Sequence, residues 1–138
     1  MWFTPLLLGG GALSASTIGR PVSDITTTGW SGVPNASLYL NINEVVASDT
    51  QYIVSPNLNA TPGPAVFGIA PTQVSGTYNA NIRARYTTGA GDIRVLLLDS
   101  SGATVGTSAW QTLTGTFATY SLSVTTTGIA MRVRIEVQ

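Results

Sequence analysis

The chain has no cysteine, no histidine and no lysine. Without cysteine there is no disulfide framework and no thiol chemistry. Without histidine the usual general base and the commonest metal-binding side chain are missing. Charge of either sign is scarce. Charged residues make up 9% of the chain, whereas a typical globular domain is about one-quarter charged. The surface must therefore be built from Thr, Ser, Asn and Gly. The six arginines balance six carboxylates, so net charge is zero. That disfavours nucleic acid as a partner, since phosphate binding needs a surplus of positive charge. It also leaves little repulsion between copies, which favours a homo-oligomer, a dimer or trimer.

What is present points to strands. At 138 residues, 43% of them apolar, the chain suits one domain with a real core. Thr and Val fit strands, and the strong helix formers Glu and Lys are scarce or absent.

The first fifteen residues differ from the rest: Trp2, Phe3, Pro5, Leu6, Leu7 and Leu8 precede a run of three glycines, Gly9 to Gly11. A signal peptide needs a positive leading region, and no basic residue occurs before Arg20. A transmembrane helix needs about 20 apolar residues, more than this interrupted run supplies, so no membrane partner is expected. An apolar patch of this kind needs cover. The expectation is an extended arm, residues 1–19, hinged at the glycines and docking on another chain through Trp2, Phe3, Leu6, Leu7 and Leu8. The alternative is that it packs under its own sheet. Residues 20–138 form the single domain.

Ser14 to Pro34 reads as a connector, with Trp30 beside Gly29 as a core plug or edge cover. Ser37 to Asn43 alternates Leu38, Leu40 and Ile42 against Tyr39, Asn41 and Asn43, the pattern of a strand. Glu44 and Asp49 fall in a loop, where solvated turn-capping carboxylates are the expectation over a calcium or glycosidase pair. Short strands follow at Gln51 to Ser55 and Ala65 to Ala70, around a Pro- and Asn-rich loop.

The C-terminal half is the most regular. Tyr78, Ala80, Ile82, Ala84 and Tyr86 alternate with Asn79, Asn81, Arg83 and Arg85. Thr88 to Asp92 is a hairpin-type turn. Ile93 to Leu98 is apolar except for Arg94 and reads as a central strand covered on both faces. Ala103 to Trp110, Phe117 to Val124 and Ile129 to Gln138 complete the series. No stretch keeps a helical period over three turns. The expected fold is an all-β antiparallel sandwich, a jelly roll of about eight strands, with a longer Greek-key sandwich as the alternative.

Two surface features follow. If their strands are neighbours, Arg83, Arg85, Arg132 and Arg134 form one patch with Glu136, which is either a solvated face or a subunit contact. Trp30, Tyr39, Trp110 and Tyr120 are candidates for stacking a glycan, although each also suits the core. No catalytic set can be assembled from the scattered carboxylates, so a non-enzymatic protein is expected, with no cofactor and no metal.

One resemblance adds a function. Arg20-Pro21, Asp24, Gly29-Trp30, Leu38-Tyr39, Asn43-Glu44, Ser48-Asp49 and Tyr52-Ile53 follow a pattern that resembles the opening of small virion proteins of tailed bacteriophages and prophages. Asp92 to Asp99, Ala109 to Thr114 and Phe117 to Leu122 look like the later strands of the same proteins, and are also similar to the jelly rolls of carbohydrate-binding modules. The resemblance covers residues 20–138 and includes no catalytic signature. It implies a structural protein on the surface of the phage particle, assembled in the host cytoplasm. The leading form is a capsid decoration or cement protein that docks on the major capsid protein. A tail or connector component, or a carbohydrate-binding module for host attachment, is the alternative.

Overall fold

In the computed structural model, residues 3–8, 18–43, 48–56, 63–72, 76–87 and 89–138 are described, with 3–8 described through their backbone pairing. They form eleven strands and one short helix. In chain order these are β1 (Phe3–Leu8), β2 (Ser23–Thr26), β3 (Ser31–Val33), α1 (Tyr39–Ile42), β4 (Tyr52–Val54), β5 (Ala65–Gly68) and β6 (Gly76–Tyr86). Then come β7 (Asp92–Leu98), β8 (Thr104–Thr107), β9 (Gln111–Thr112), β10 (Ala118–Thr126) and β11 (Arg132–Val137). All pairings are antiparallel. One sheet runs β10-β6-β1-β4-β3, and the other runs β2-β5-β11-β7-β8 with β9 also on β7. The fold is an all-β sandwich, as composition and alternation imply.

The alternation of β6 and β10 builds one inner wall. Tyr78, Ala80, Ile82 and Ala84 are buried, and so are Leu122 and Val124. The register sets large against small or aromatic side chains, with Leu122 opposite Ala80 and Val124 opposite Tyr78, so the layer interdigitates. The second wall comes from Ala65 and Phe67, from Ile93, Val95 and Leu97, and from Val133 and Ile135. Both walls belong to one apolar core. Central β7 is buried on its outward side too, where Leu96 and Leu98 cluster with Val66. That explains its nearly unbroken apolar run.

Four expectations are corrected. The first concerns residues 38–42, which form a helical turn and not a strand. Leu38 and Ile42 fit either period, but Asn41 is buried beside them while Leu40 is exposed, which is helical spacing. Asp24 decides the matter, because its carboxylate accepts the backbone N–H of Leu38 and of Tyr39. Buried Asn41 is satisfied locally, since its Oδ1 accepts the Asn35 N–H and its Nδ2 donates to the Asn35 carbonyl.

The second concerns the connector, which contains the edge strands β2 and β3. Both are short and largely polar, so neither carries an apolar alternation. The third concerns the last strand, which begins at Arg132, although the Met131 N–H still donates to the Leu98 carbonyl. Ile129 and Met131, which continue its apolar alternation in sequence, lie exposed before it.

The fourth concerns the N-terminal segment. Of the two expectations for it, docking on another chain and packing under its own sheet, neither places Phe3–Leu8 within a sheet, yet β1 is the middle strand of the five-stranded sheet, paired with β4 on one side and β6 on the other. Without it, two strands would present unpaired backbone edges. Ile18, also assigned to the arm, is 5% exposed and part of the core, so the domain extends before residue 20. Trp2, the glycine run 9–11 and Glu44 lie outside the described residues.

Candidate binding site

The arginines do not meet on one face. Arg83 and Arg85 lie on β6 and Arg132 and Arg134 on β11, in different sheets. In each strand they alternate with core residues, so the two pairs point outward from opposite sides of the sandwich.

On the β6 side, Arg83 makes a two-point ion pair with the loop residue Asp49, Nε to Oδ1 at 2.6 Å and Nη2 to Oδ2 at 2.9 Å. This hydrogen bond holds the Asp49 carboxyl below its ordinary value and raises the Arg83 guanidinium. Arg83 and Arg85 both lie over the Phe117 ring, at 5.4 and 5.1 Å from its centroid. The half-buried Phe117 is thus roofed by two cations. Next to this cluster the outward face of β6 and β10 is a ladder of small polar groups. Asn81 stands opposite Ser121, Asn79 opposite Ser123 and Thr77 opposite Thr125.

On the β11 side the residues are more tightly connected. Arg94 on β7 faces Glu136 on β11 as a direct cross-strand pair. Its Nε donates to Glu136 Oε2 at 2.6 Å, and Arg134 Nη2 reaches Glu136 Oε1 at 2.8 Å. One carboxylate therefore bridges two guanidiniums. Arg134 stands between Val66 and Leu96 in register, so its aliphatic stem runs beside that outer apolar cluster. Its Nε is buried with no hydrogen-bond partner.

Trp110 completes this group, and the chain places it by a local irregularity. Ser108 is tied to Val95, its N–H donating to the Val95 carbonyl and its hydroxyl accepting the Val95 N–H, both at 2.9 Å. Gln111 pairs with Ile93. Two residues, Ala109 and Trp110, thus span the place opposite Arg94 alone, as in a β-bulge. The extra residue turns the indole outward, and the Arg94 guanidinium carbon lies 4.6 Å from its ring centroid. Beside it, Pro64, Trp110, Arg134, Glu136, Val137 and Gln138 line a shallow recess of about 210 Å³.

The four aromatic candidates separate cleanly. Trp30 is 8% exposed, and its indole N–H donates to the Gly63 carbonyl at 2.8 Å. It is a core plug and offers no stacking face. Tyr39 and Tyr120 pack against the core, and the Tyr120 hydroxyl accepts the Thr114 N–H at 2.9 Å. Trp110, 36% exposed, is the most open of the four. Arg94 was missed as part of this group. Its isolated place in an apolar run was the available signal, since a charge there needs a partner.

Among the described residues no three His, Cys, Asp or Glu side chains gather where a metal ion could be held. Nor is any described helix long and apolar enough to cross a membrane. Compared with protein-family models, curated proteins and solved structures, the chain matches none.

Proposed function

We propose that this chain is a non-enzymatic structural module of a bacteriophage-type particle, a jelly-roll decoration or cement protein that docks on the major capsid protein and on copies of itself. The observation that carries the reading is the edge at β10. Natural sheets blunt their edges with short strands, charges, proline or bulges. Here β3 has three residues and β2 and β8 four each, and the pairings of β2 and β8 are bulged. Edge strand β10 runs for nine residues with no charge and no proline. It pairs with β6 without a register shift. β8 meets its far end, where the Thr127 N–H donates to the Val105 carbonyl. The stretch from Ala118 to Ser123 has β6 as its only strand partner among the described residues. A free edge beside a neutral Ser, Thr and Asn face suits docking that is repeated by symmetry, where many weak contacts add up.

The winding of the chain supports the jelly-roll part of this reading. From β4 to β11 every connection passes between the two sheets except β7–β8–β9. The segment Trp2 to Leu8 keeps a role as an anchor if it exchanges between copies, one chain's β1 filling the slot between β4 and β6 of its neighbour.

Fractionation of particles from a producing culture on a density gradient, followed by mass spectrometry, tests the proposal. The chain should band with intact particles. Ser121→Lys with Ser123→Lys should reduce its copy number there while the purified variant stays folded. A chain found only in the soluble fraction, or full incorporation of the double variant, overturns it.

A further inference from the structure

We propose that the recess beside Trp110 is a binding site for a neutral pyranose of a glycan, a property separate from the structural role above. The indole is held outward by the two-residue span against Arg94, and Trp110 is partly open to solvent. Its ring presents a flat apolar face on which sugar C–H groups pack. Arg94 lies over one face of the ring and holds it in place, so the opposite face is the one a sugar would use and little side-chain freedom is lost on binding.

The polar lining decides the class of ligand. Arg134 offers only donors, Glu136 only acceptors, and the Gln138 amide offers both. Glu136 uses one contact per oxygen on the arginines, and a carboxylate can accept about four. Arg134 lines the recess and spends Nη2 on Glu136, one of the five N–H donors that a guanidinium carries. Donors and acceptors thus sit within one small recess, which suits hydroxyl groups that donate and accept at once. An anion would be drawn to the guanidiniums but would meet Glu136, and an apolar ligand would leave all three polar side chains uncompensated. The recess is shallow and open, below the roughly 300 Å³ of a drug-sized pocket. It therefore fits one sugar of a longer chain and a weak affinity per site, which repetition over a particle would multiply.

The test is a titration of the whole protein with glucose, galactose and mannose separately, followed by the backbone N–H resonances of Val137 and Gln138, which line the recess and remain in every variant. Dextran sulfate serves as the anionic control. The expected result is a saturable shift with at least one of the three at millimolar concentration. It should weaken at least about tenfold in Trp110→Ala and in Glu136→Gln, with the remaining resonances showing that the fold is kept. Trp110→Phe keeps a flat face and should retain part of the binding. No shift with any of the three sugars, an unchanged affinity in Trp110→Ala, or binding of dextran sulfate alone overturns the assignment.

Discussion

The Asp24 carboxylate holds the start of α1, accepting the backbone N–H of Tyr39 at 2.7 Å through Oδ1 while Oδ2 takes that of Leu38 at 2.8 Å. Edge strand β2 thereby fixes a helical turn that no residue within the turn caps. Such a turn is too short to be stable alone, and its first N–H groups need acceptors. Asp24→Ala should destabilise the fold by about 1–2 kcal/mol, the cost of a lost cap with a charged acceptor. Asp24→Asn should recover part of it. Urea unfolding of the three proteins checks this, and equal midpoints would remove the cap from the account.

The same contact shows why this region was not legible in the sequence. Leu38 and Ile42 are consistent with a strand and with a helix. What selects the helix is a carboxylate fourteen residues away. The edge strands β2 and β3 left no trace because their side chains face water, and an apolar alternation arises only where one face is buried. By contrast, β6, β7 and β10 were readable because each lies against the core along most of its length. Of the site, Trp110, Arg134 and Glu136 could be named from sequence, but not their meeting with Arg94. That meeting depends on Ser108 and Gln111 both pairing with β7, and pairing partners are not encoded in either segment alone.

Gly106 marks where the two sheets close on each other. A Cβ there would lie 2.7 Å from Val124 Cγ1 and 2.8 Å from the Thr125 carbonyl oxygen. The valine can turn but the backbone oxygen cannot, so β8 must move away from β10. Gly106→Ala should cost about 1–3 kcal/mol, in the range of overpacking. Gly63→Ala is the control, since nothing lies within 4 Å of its added methyl. Thermal unfolding should lower the midpoint of the first and leave the second near wild type.

Two carboxylates give the fold a dependence on acid. Asp49 is held below its ordinary value of 3.8, first by its hydrogen bond with Arg83. Asp99 is held below the same value, first by the Ser101 hydroxyl and then by the Ala103 N–H in the turn it caps. A carboxyl with a lower value folded than unfolded binds more protons when unfolded, so stability rises with pH across that interval. Both contributions are therefore complete above the ordinary carboxylate range and are lost as pH falls through the depressed folded values. Both groups are solvent-exposed, so the effect is modest. Urea midpoints from pH 6 down to pH 2 should fall below about pH 4. In Asp49→Asn with Asp99→Asn that fall should be shallower. An equally steep fall in the double variant would assign the acid sensitivity elsewhere.

β1 can be tested directly, because the chain has no cysteine of its own. Leu7 lies opposite Arg83 in the β1–β6 register, and opposed residues of antiparallel strands have Cβ atoms about 4.5–5.5 Å apart. A disulfide needs about 3.5–4.5 Å, a small adjustment from that spacing. Arg83 is half-buried and outward, so the pair Leu7→Cys with Arg83→Cys leaves buried Ile53, on the other side of β1, untouched. Oxidation of the dilute protein should consume both thiols and leave a monomer on a non-reducing gel, since the strand fills its own sheet. If strands exchange during assembly, oxidation on the particle should instead give covalent dimers or longer ladders from the same variant. Monomers in both states would confine β1 to its own chain and remove it as an anchor. Free thiols in both states would show that β1 does not hold this register at all. The slot between β4 and β6 would then stand open, and two more backbone edges would join β10 as places for a neighbour to dock.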